Sequence, residues 1–418
     1  MVTVILVLIF LGILITVHEF GHFFACRISN INVEEFSIGF GPRLFSFKDK
    51  HGTQYSLSLI PFGGFVKIQG EEKSGAPSPG DFWPQPFYKK MFVVISGPLF
   101  NLVLAIVTFI LGYSVVGYET VPLYSIYAVG NPAAGFIKGD SVISIDGKTI
   151  NTVEDLYYYY SKRDTHTVKV IRNNEVVDIT SIGRNFDSLN VVFNIPPLVH
   201  RVEKGSPAFK AGIKVGDLIL KFNDVEVSTW NELVDSIRHN AGHQIVLTVL
   251  RSNDTLLVPL QVGSEASTEG VEIGRIGILA PSIRKRLNLV DAVSVSVVRS
   301  AEVTWTLIVY LVGLFVGKVP VSSLGGPIMI GKVIYSVSSY GLFQLLYLLG
   351  LISINLFIIN LLPIPALDGW HFWVYFLEGI LRREFSPEVK RIIQFVGFSL
   401  LIALMIVITI FDILRVFH

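Results

Sequence analysis

The chain has 418 residues, 51% hydrophobic and 16% charged, with net charge +1, and its mean hydropathy is +0.57. A soluble globular chain carries about 25% charged residues. Here the shortfall is concentrated in long uncharged runs, which marks an integral membrane protein and excludes a lone small soluble domain. The near-zero net charge excludes a global field that would recruit nucleic acid, and the single cysteine, Cys26, excludes an intramolecular disulfide or a cysteine-based zinc finger.

Residues 1–27 read as the first transmembrane helix. Met1 to Val17 is uncharged, and apolar character resumes at Phe23, Phe24 and Ala25. No Lys or Arg precedes Arg27, and a glutamate and two histidines follow the run at once, which argues against a signal peptide. Those residues form His18-Glu19-Phe20-Gly21-His22. On a helix the two histidines share a face and can grip one Zn²⁺, while Glu19 is displaced from it and can act as a general base. Ionisable groups in a membrane helix are costly and functional by default, so a metal site is favoured over an amphipathic helix end.

Residues 28–90 read as a cytoplasmic-side hairpin and loop. Phe36 to Gln69 alternates apolar and polar residues around the turn Lys48-Asp-Lys-His-Gly-Thr53, and Glu71 to Pro86 is rich in Pro, Gly and Ser. Residues 91–117 form the second span. Between about Tyr118 and Arg299 lies an internal repeat. Asn131-Pro-Ala-Ala, Gly139-Asp140 and Leu156 in residues 118–195 correspond to Ser206-Pro-Ala-Phe, Gly216-Asp217 and Leu233 in residues 196–282, with Gly139/Gly216 and Leu156/Leu233 offset by 77 positions. Both copies resemble PDZ domains of the permuted bacterial-protease kind. Peptide binding at a sheet edge and steric filtering of partners both remain open for them.

Residues 283–340 read as amphipathic or interfacial helices, because Val303 to Gly317 is uncharged over only 15 residues. Residues 341–378 form the third span, with a single charge, Asp368. Residues 379–391 are a basic loop, and residues 392–414 are the fourth span. Arg27, Lys89, Lys90, Arg382, Arg383, Lys390 and Arg391 then fall on one side, the cytoplasmic one, and the repeat falls outside.

A catalytic zinc takes three protein ligands and keeps one open position. Asp368 lies in Asn360-Leu-Leu-Pro-Ile-Pro-Ala-Leu-Asp368-Gly369, where two prolines and a glycine break the helix. Broken backbone at membrane depth is tolerated where it lines a polar cavity. Metal ligation is preferred over a plain N-cap role, and the two are compatible. His18 lies ~25 Å along a helix entering from outside, near the inner face of a ~30 Å core. Asp368 reaches the same depth only if Val303–Gly317 does not cross.

Together these motifs resemble the site-2 protease family of intramembrane zinc metalloproteases, in particular its bacterial branch with two PDZ domains that regulates sigma-E. Gly97-Pro98 with Asn101 and Leu324-Gly-Gly-Pro-Ile328 support the match. The resemblance covers nearly the whole chain. It implies that His18, His22 and Asp368 hold one Zn²⁺ per chain, that Glu19 is the catalytic base, and that Asn360 positions the substrate backbone or stabilises the oxyanion. It further implies a multi-pass inner-membrane fold of about four transmembrane helices with a membrane-associated β-hairpin and two inserted α+β PDZ-like domains. The implied substrates are single-span membrane proteins in the lipid bilayer, pre-cut by another protease. Trp370 departs from relatives that carry a second glycine after Leu-Asp-Gly, which would narrow the pocket. His371 reads as packing or as a partner to a ligand. Cys26 reads as packing, and His166, His200, His239 and His243 read as surface residues. Two rivals are a tethered soluble-type metallopeptidase, which the apolar flanks of His18 oppose, and a non-enzymatic PDZ scaffold with a closed structural zinc. A transporter would show an inverted repeat of broken spans, which this chain lacks.

Overall fold

The computed structural model describes residues 2–71, 76–130, 135–161, 163–183, 186–266, 272–320, 325–338 and 340–417. It divides into two compact units, Met1–Tyr118 with Arg286–His418, and Glu119–Lys285.

The first unit begins with α1 (Val2–Ile28), 27 residues that extend for about 40 Å. The guanidinium of Arg27 at its end donates to the Asp49 carboxylate and, at 2.9 Å, to Thr53 Oγ1. This pins the turn between β1 (Val33–Lys48) and β2 (Gln54–Ile68) to the helix end. The pair is more than the simple hairpin read from the sequence. Residues 35–38 face residues 64–67 on one side and residues 54–57 on the other, so the ribbon folds back on itself into four strand segments. The bends explain why. Gly39, Gly41 and Gly63 have φ of 88°, 85° and 101°, values that favour glycine. Leu44, Phe45, Phe47, Leu59 and Ile60 on this sheet are exposed, an apolar surface suited to lipid.

After the loop comes α2 (Phe87–Leu111), followed by one π-helical turn, Gly112–Val116. It runs antiparallel to α1. Lys89 Nζ donates to the Ser29 carbonyl at 3.0 Å where α1 ends, and Leu104 packs against the cluster of Phe10 and Leu14.

The second unit holds the repeat. The first copy has a sheet of strands Ser141–Ile145, Lys148–Thr149, Thr165–Arg172 and Glu175–Ile182 with helix α3 (Val153–Tyr160). The second has Leu218–Phe222, Val225–Glu226, Gln244–Arg251 and Asp254–Gln261 with helices α4 (Pro207–Lys210) and α5 (Trp230–Arg238). The strand order is the same in both sheets. Each helix start is capped alike, by Thr152 Oγ1 on the Asp155 N–H and Thr229 Oγ1 on the Glu232 N–H. The Pro-Ala start of the first copy, residues 131–134, lies outside the described residues. Both sheets carry one buried clasp. Arg172 donates to both Asp140 oxygens at 2.8 Å and to the Gly135 carbonyl, and Arg251 donates to both Asp217 oxygens at 2.7 Å and to the Gly212 carbonyl. The copies also touch. Tyr127 Oη donates to Glu232 Oε1 at 2.9 Å, and Ile195 packs on both cores.

His166 is not a surface residue as the sequence suggested. It is fully buried, stacked on Tyr160, with Nδ1 2.9 Å from Asp146 and Nε2 2.8 Å from the Arg163 carbonyl. Each ring nitrogen has a polar partner within hydrogen-bond distance, so the side chain is not stranded inside the core.

The chain then returns to the first unit as α6 (Leu289–Phe315). The expected 15-residue surface stretch is here the C-terminal part of a 27-residue helix, one of five among the described residues long and apolar enough to cross a membrane. The charges that interrupt the apolar run do not interrupt the helix. Arg299 Nε donates to Tyr347 Oη at 2.7 Å and pairs with Glu302 at 3.1 Å. α6 starts where α2 finishes, with the Leu287 N–H on the Tyr113 carbonyl, and its Val303 joins Ala105 and Ile354 in one buried cluster. The chain next forms α7 (Pro327–Ser338), α8 (Leu342–Leu361), α9 (Asp368–Leu381) and α10 (Pro387–Phe417). Leu324 of the expected Leu-Gly-Gly-Pro-Ile motif lies outside the described residues. Asp412 of α10 accepts the Gly326 and Met329 N–H groups at 3.0 Å and so caps α7. α8 runs antiparallel to α2, with Phe343 at Gly112, Tyr347 stacked on Phe109 and Ser353 Oγ donating to the Asn101 carbonyl at 2.6 Å. Thus α6 and α8 descend in the same direction, and the chain comes back between them. That return keeps Asp368 on the side of His18, although α6 is long enough to cross.

Burial raises the Asp217 carboxyl, but Arg251 and the Lys214 N–H outweigh it and hold the carboxyl below its ordinary value. The stability from the clasp is therefore present above pH ~4 and lost as the pH falls below it. Asp217→Asn should cost about 3 kcal/mol locally at pH 7. Hydrogen exchange of strand Leu218–Phe222 in the full chain should accelerate by at least tenfold, with little effect on strand Ser141–Ile145.

Candidate metal centre

α1 and α2 cross at glycines. A Cβ on Gly21 would strike the Ser96 carbonyl, and one on Gly97 would strike the His22 ring and come within 2.9 Å of His18 Nε2. Only hydrogen at both positions lets the two imidazoles lie against the α2 backbone. Pro98 follows and removes one helix hydrogen bond at this level of α2.

The third group arrives from a break in the helix. α8 ends at Leu361, and residues 362–367 carry Pro363 and Pro365. Ala366 has φ of 81°, a strained conformation for a residue with a Cβ. Gly369 sits so close to the Leu361 and Leu362 carbonyls that a Cβ would collide with them, and Gly397 of α10 leaves room for Pro365. Asp368 is then the first residue of α9, one position after its N-cap Leu367. The helix N-terminus favours a carboxylate there.

His18 Nε2 lies 2.9 Å from Asp368 Oδ2, His22 Nε2 lies 3.5 Å from the same oxygen, and the two Nε2 atoms are 3.2 Å apart. The His18 and His22 side chains are 13% exposed and that of Asp368 is 24% exposed. Asp368 Oδ2 is buried and makes no hydrogen bond among the described residues, although two imidazoles face it. Three potential donor atoms within 4.8 Å of one another fit a divalent cation, and two nitrogens with one oxygen fit zinc. His22 Nδ1 donates to the Val93 carbonyl at 2.9 Å, which leaves its Nε2 lone pair facing the centre.

Glu19 is half-buried beside the trio, and β2 packs against α1 one turn before it, where a Cβ on Gly63 would lie 3.2 Å from the Ile15 side chain. The folded-back sheet therefore lies along α1 close to the proposed base. Asn360 lies in the last turn of α8, half-buried, and among the described residues its amide makes no hydrogen bond to the trio. His371 lies one turn along α9 with its ring 6.3 Å from Tyr375, and Trp370 is half-buried. Cys26 belongs to the apolar cluster of Phe23, Ile31 and Phe36. One polar residue beside the centre was not singled out as a site residue from the sequence. Asn101 of α2 is fully buried, with Nδ2 3.2 Å from His18 Nδ1. Its sequence signal was its place after Gly97-Pro98 in the motif that supports the family resemblance, which gave it no role at the site.

Residues 6–404 match Peptidase family M50. The chain is 30% identical to the regulator of sigma-E protease RseP of Salmonella typhimurium, over 95% of both chains. It is 28% identical to the regulator of sigma-W protease RasP of Bacillus subtilis and 28% identical to the zinc metalloprotease RasP of Bacillus licheniformis, over 99% of each chain in both cases. Among solved structures, the PDZ domain of an SdrC-like protein from Listeria monocytogenes is 19% identical, covering 22% of this chain and 90% of that domain with a TM-score of 0.18.

Gly97→Ala should separate α1 from α2 at the centre. Purified protein should retain less than about a tenth of the zinc of the native chain, read by elemental analysis, as expected when the shell around a metal is disturbed.

Proposed function

The chain belongs to peptidase family M50, the membrane-embedded zinc metalloproteases of the site-2 type, and on that premise we propose that it cleaves transmembrane segments of single-span membrane proteins. The observation that carries this reading is the convergence of His18 Nε2, His22 Nε2 and Asp368 Oδ2 within an apolar bundle. On this reading the three residues hold one zinc per chain, and zinc when bound supplies Lewis-acid polarisation of a carbonyl and an acidified water.

The residues of the chain do the rest. Glu19 takes a proton as the water attacks and returns it to the leaving amine. Asn360 donates its amide to the substrate backbone or the oxyanion without adding a charge in the membrane. A helical substrate hides its backbone in internal hydrogen bonds, so it must unwind first. The sheet of β1 and β2 stabilises the opened segment by strand pairing, and its packing along α1 brings that segment toward Glu19.

In this proposal the basic ends of the bundle face the cytoplasm of a bacterial inner membrane, with the metal centre near that side and the second unit outside. The clasped PDZ-like copies are joined by the Tyr127–Glu232 hydrogen bond and by Ile195. The pair excludes substrates with bulky outer domains, so a prior cut by another protease licenses this one. The substrates are anti-sigma-factor-like regulators and remnant signal peptides.

Glu19→Gln should lower cleavage of a model single-span substrate by 10²-fold or more while zinc content stays native. Unchanged cleavage would remove the proposed base. Asp368→Asn should lower zinc content itself, and full retention would take Asp368 out of the ligand set.

A further inference from the structure

We propose that Asn101 is a positioning residue that sets the tautomer of His18 and thereby the zinc affinity of the centre. This rests on the reading of His18 as a zinc ligand.

His18 offers Nε2 to the centre, so its Nδ1 must carry the proton when Nε2 binds a metal. Something must then accept that proton. For His22 the acceptor is the Val93 carbonyl, which can only accept. For His18 the group at Nδ1 is the Asn101 side-chain amide, 3.2 Å away. As oriented, Asn101 turns Nδ2 toward His18 and leaves Oδ1 buried without a hydrogen bond among the described residues. With Nδ2 donating, Nδ1 is the acceptor and Nε2 keeps the proton, which faces Asp368 Oδ2 at 2.9 Å. A half-turn of the amide exchanges its two ends in nearly the same space. The carbonyl then accepts from Nδ1–H, and the Nε2 lone pair turns to the centre. The oxygen thus gains a partner in the metal-binding tautomer, and the amide NH2 takes its former place.

The position is built for this. Asn101 is fully buried in α2, and its backbone carbonyl is held by Ser353 Oγ at 2.6 Å, so α8 fixes the residue against α1. An amide serves both tautomers because it has a donor end and an acceptor end, which a backbone carbonyl lacks.

The test measures zinc affinity by chelator competition on the detergent-solubilised full chain, for the native protein and Asn101→Leu, Asn101→Ala and Asn101→Asp. Leucine is close in size but cannot accept, whereas aspartate can only accept. The expected result is a 10- to 100-fold weaker affinity for Leu and Ala, with Asp within about threefold of native. The metal-free forms of all four should melt within a few degrees of one another. Native-like affinity in Asn101→Leu or Asn101→Ala overturns the proposal. So does equal loss in Asn101→Asp, which marks a packing role. If Asn101→Leu does not fold, the comparison of Ala with Asp decides. If the native chain itself binds no zinc, the reading of the centre fails rather than the role of Asn101.

Discussion

At the crossing of α1 and α2 two backbones meet where Gly21 and Gly97 have no side chains, and the chemistry of the first unit depends on that contact. Polar groups inside a bilayer are expensive unless neighbours compensate them. The close approach makes compensation possible. It brings the Val93 carbonyl to His22 and the Asn101 amide to His18, both from the same helix face. Elsewhere the bundle is held by packing among apolar side chains and a few small residues, as membrane helices are. Gly350 against Phe109 and Gly112 against Phe343 repeat the same device farther along α2.

Much of the centre was legible because it broke a pattern. The spacing of His18 and His22 needs only the helix period, and Asp368 stood out as the lone charge in its run. Asn101 was noticed only as part of the motif with Gly97-Pro98 and not as a site residue, because an amide leaves an apolar run uncharged. The length of α6 was hidden for the opposite reason. Arg299 and Glu302 ended the uncharged run, yet they pair on adjacent turns and the helix continues through them. The expectation that Asp368 and His18 share a side survives on other grounds, since the chain returns between α6 and α8. The folded-back sheet was half visible. Its glycines announced bends, but the pairing of one strand segment on both edges depends on which way those bends turn.

In the second unit the repeat was legible as a 77-residue offset, and the clasp shows what that similarity preserves. Asp140 and Asp217 each anchor an arginine from a neighbouring strand and close a turn. The copies differ inside. The first buries His166 with Asp146, where the second has an ordinary aliphatic core around Ile245. Sequence patterns rank histidine as a surface residue in a soluble segment. That ranking failed because Asp146 and the Arg163 carbonyl give the buried ring polar partners at both nitrogens.

The converging trio is also split in time. His18 and His22 leave the ribosome early, but Asp368 follows His18 by 350 residues. At about 5 to 20 residues per second this interval is roughly 20 to 70 s. During it two histidines and a glutamate already lie in the bilayer, and the carboxylate that completes their geometry does not yet exist. The nascent chain thus passes through insertion, folding of the second unit and emergence of most of its helices before its three donor atoms can meet.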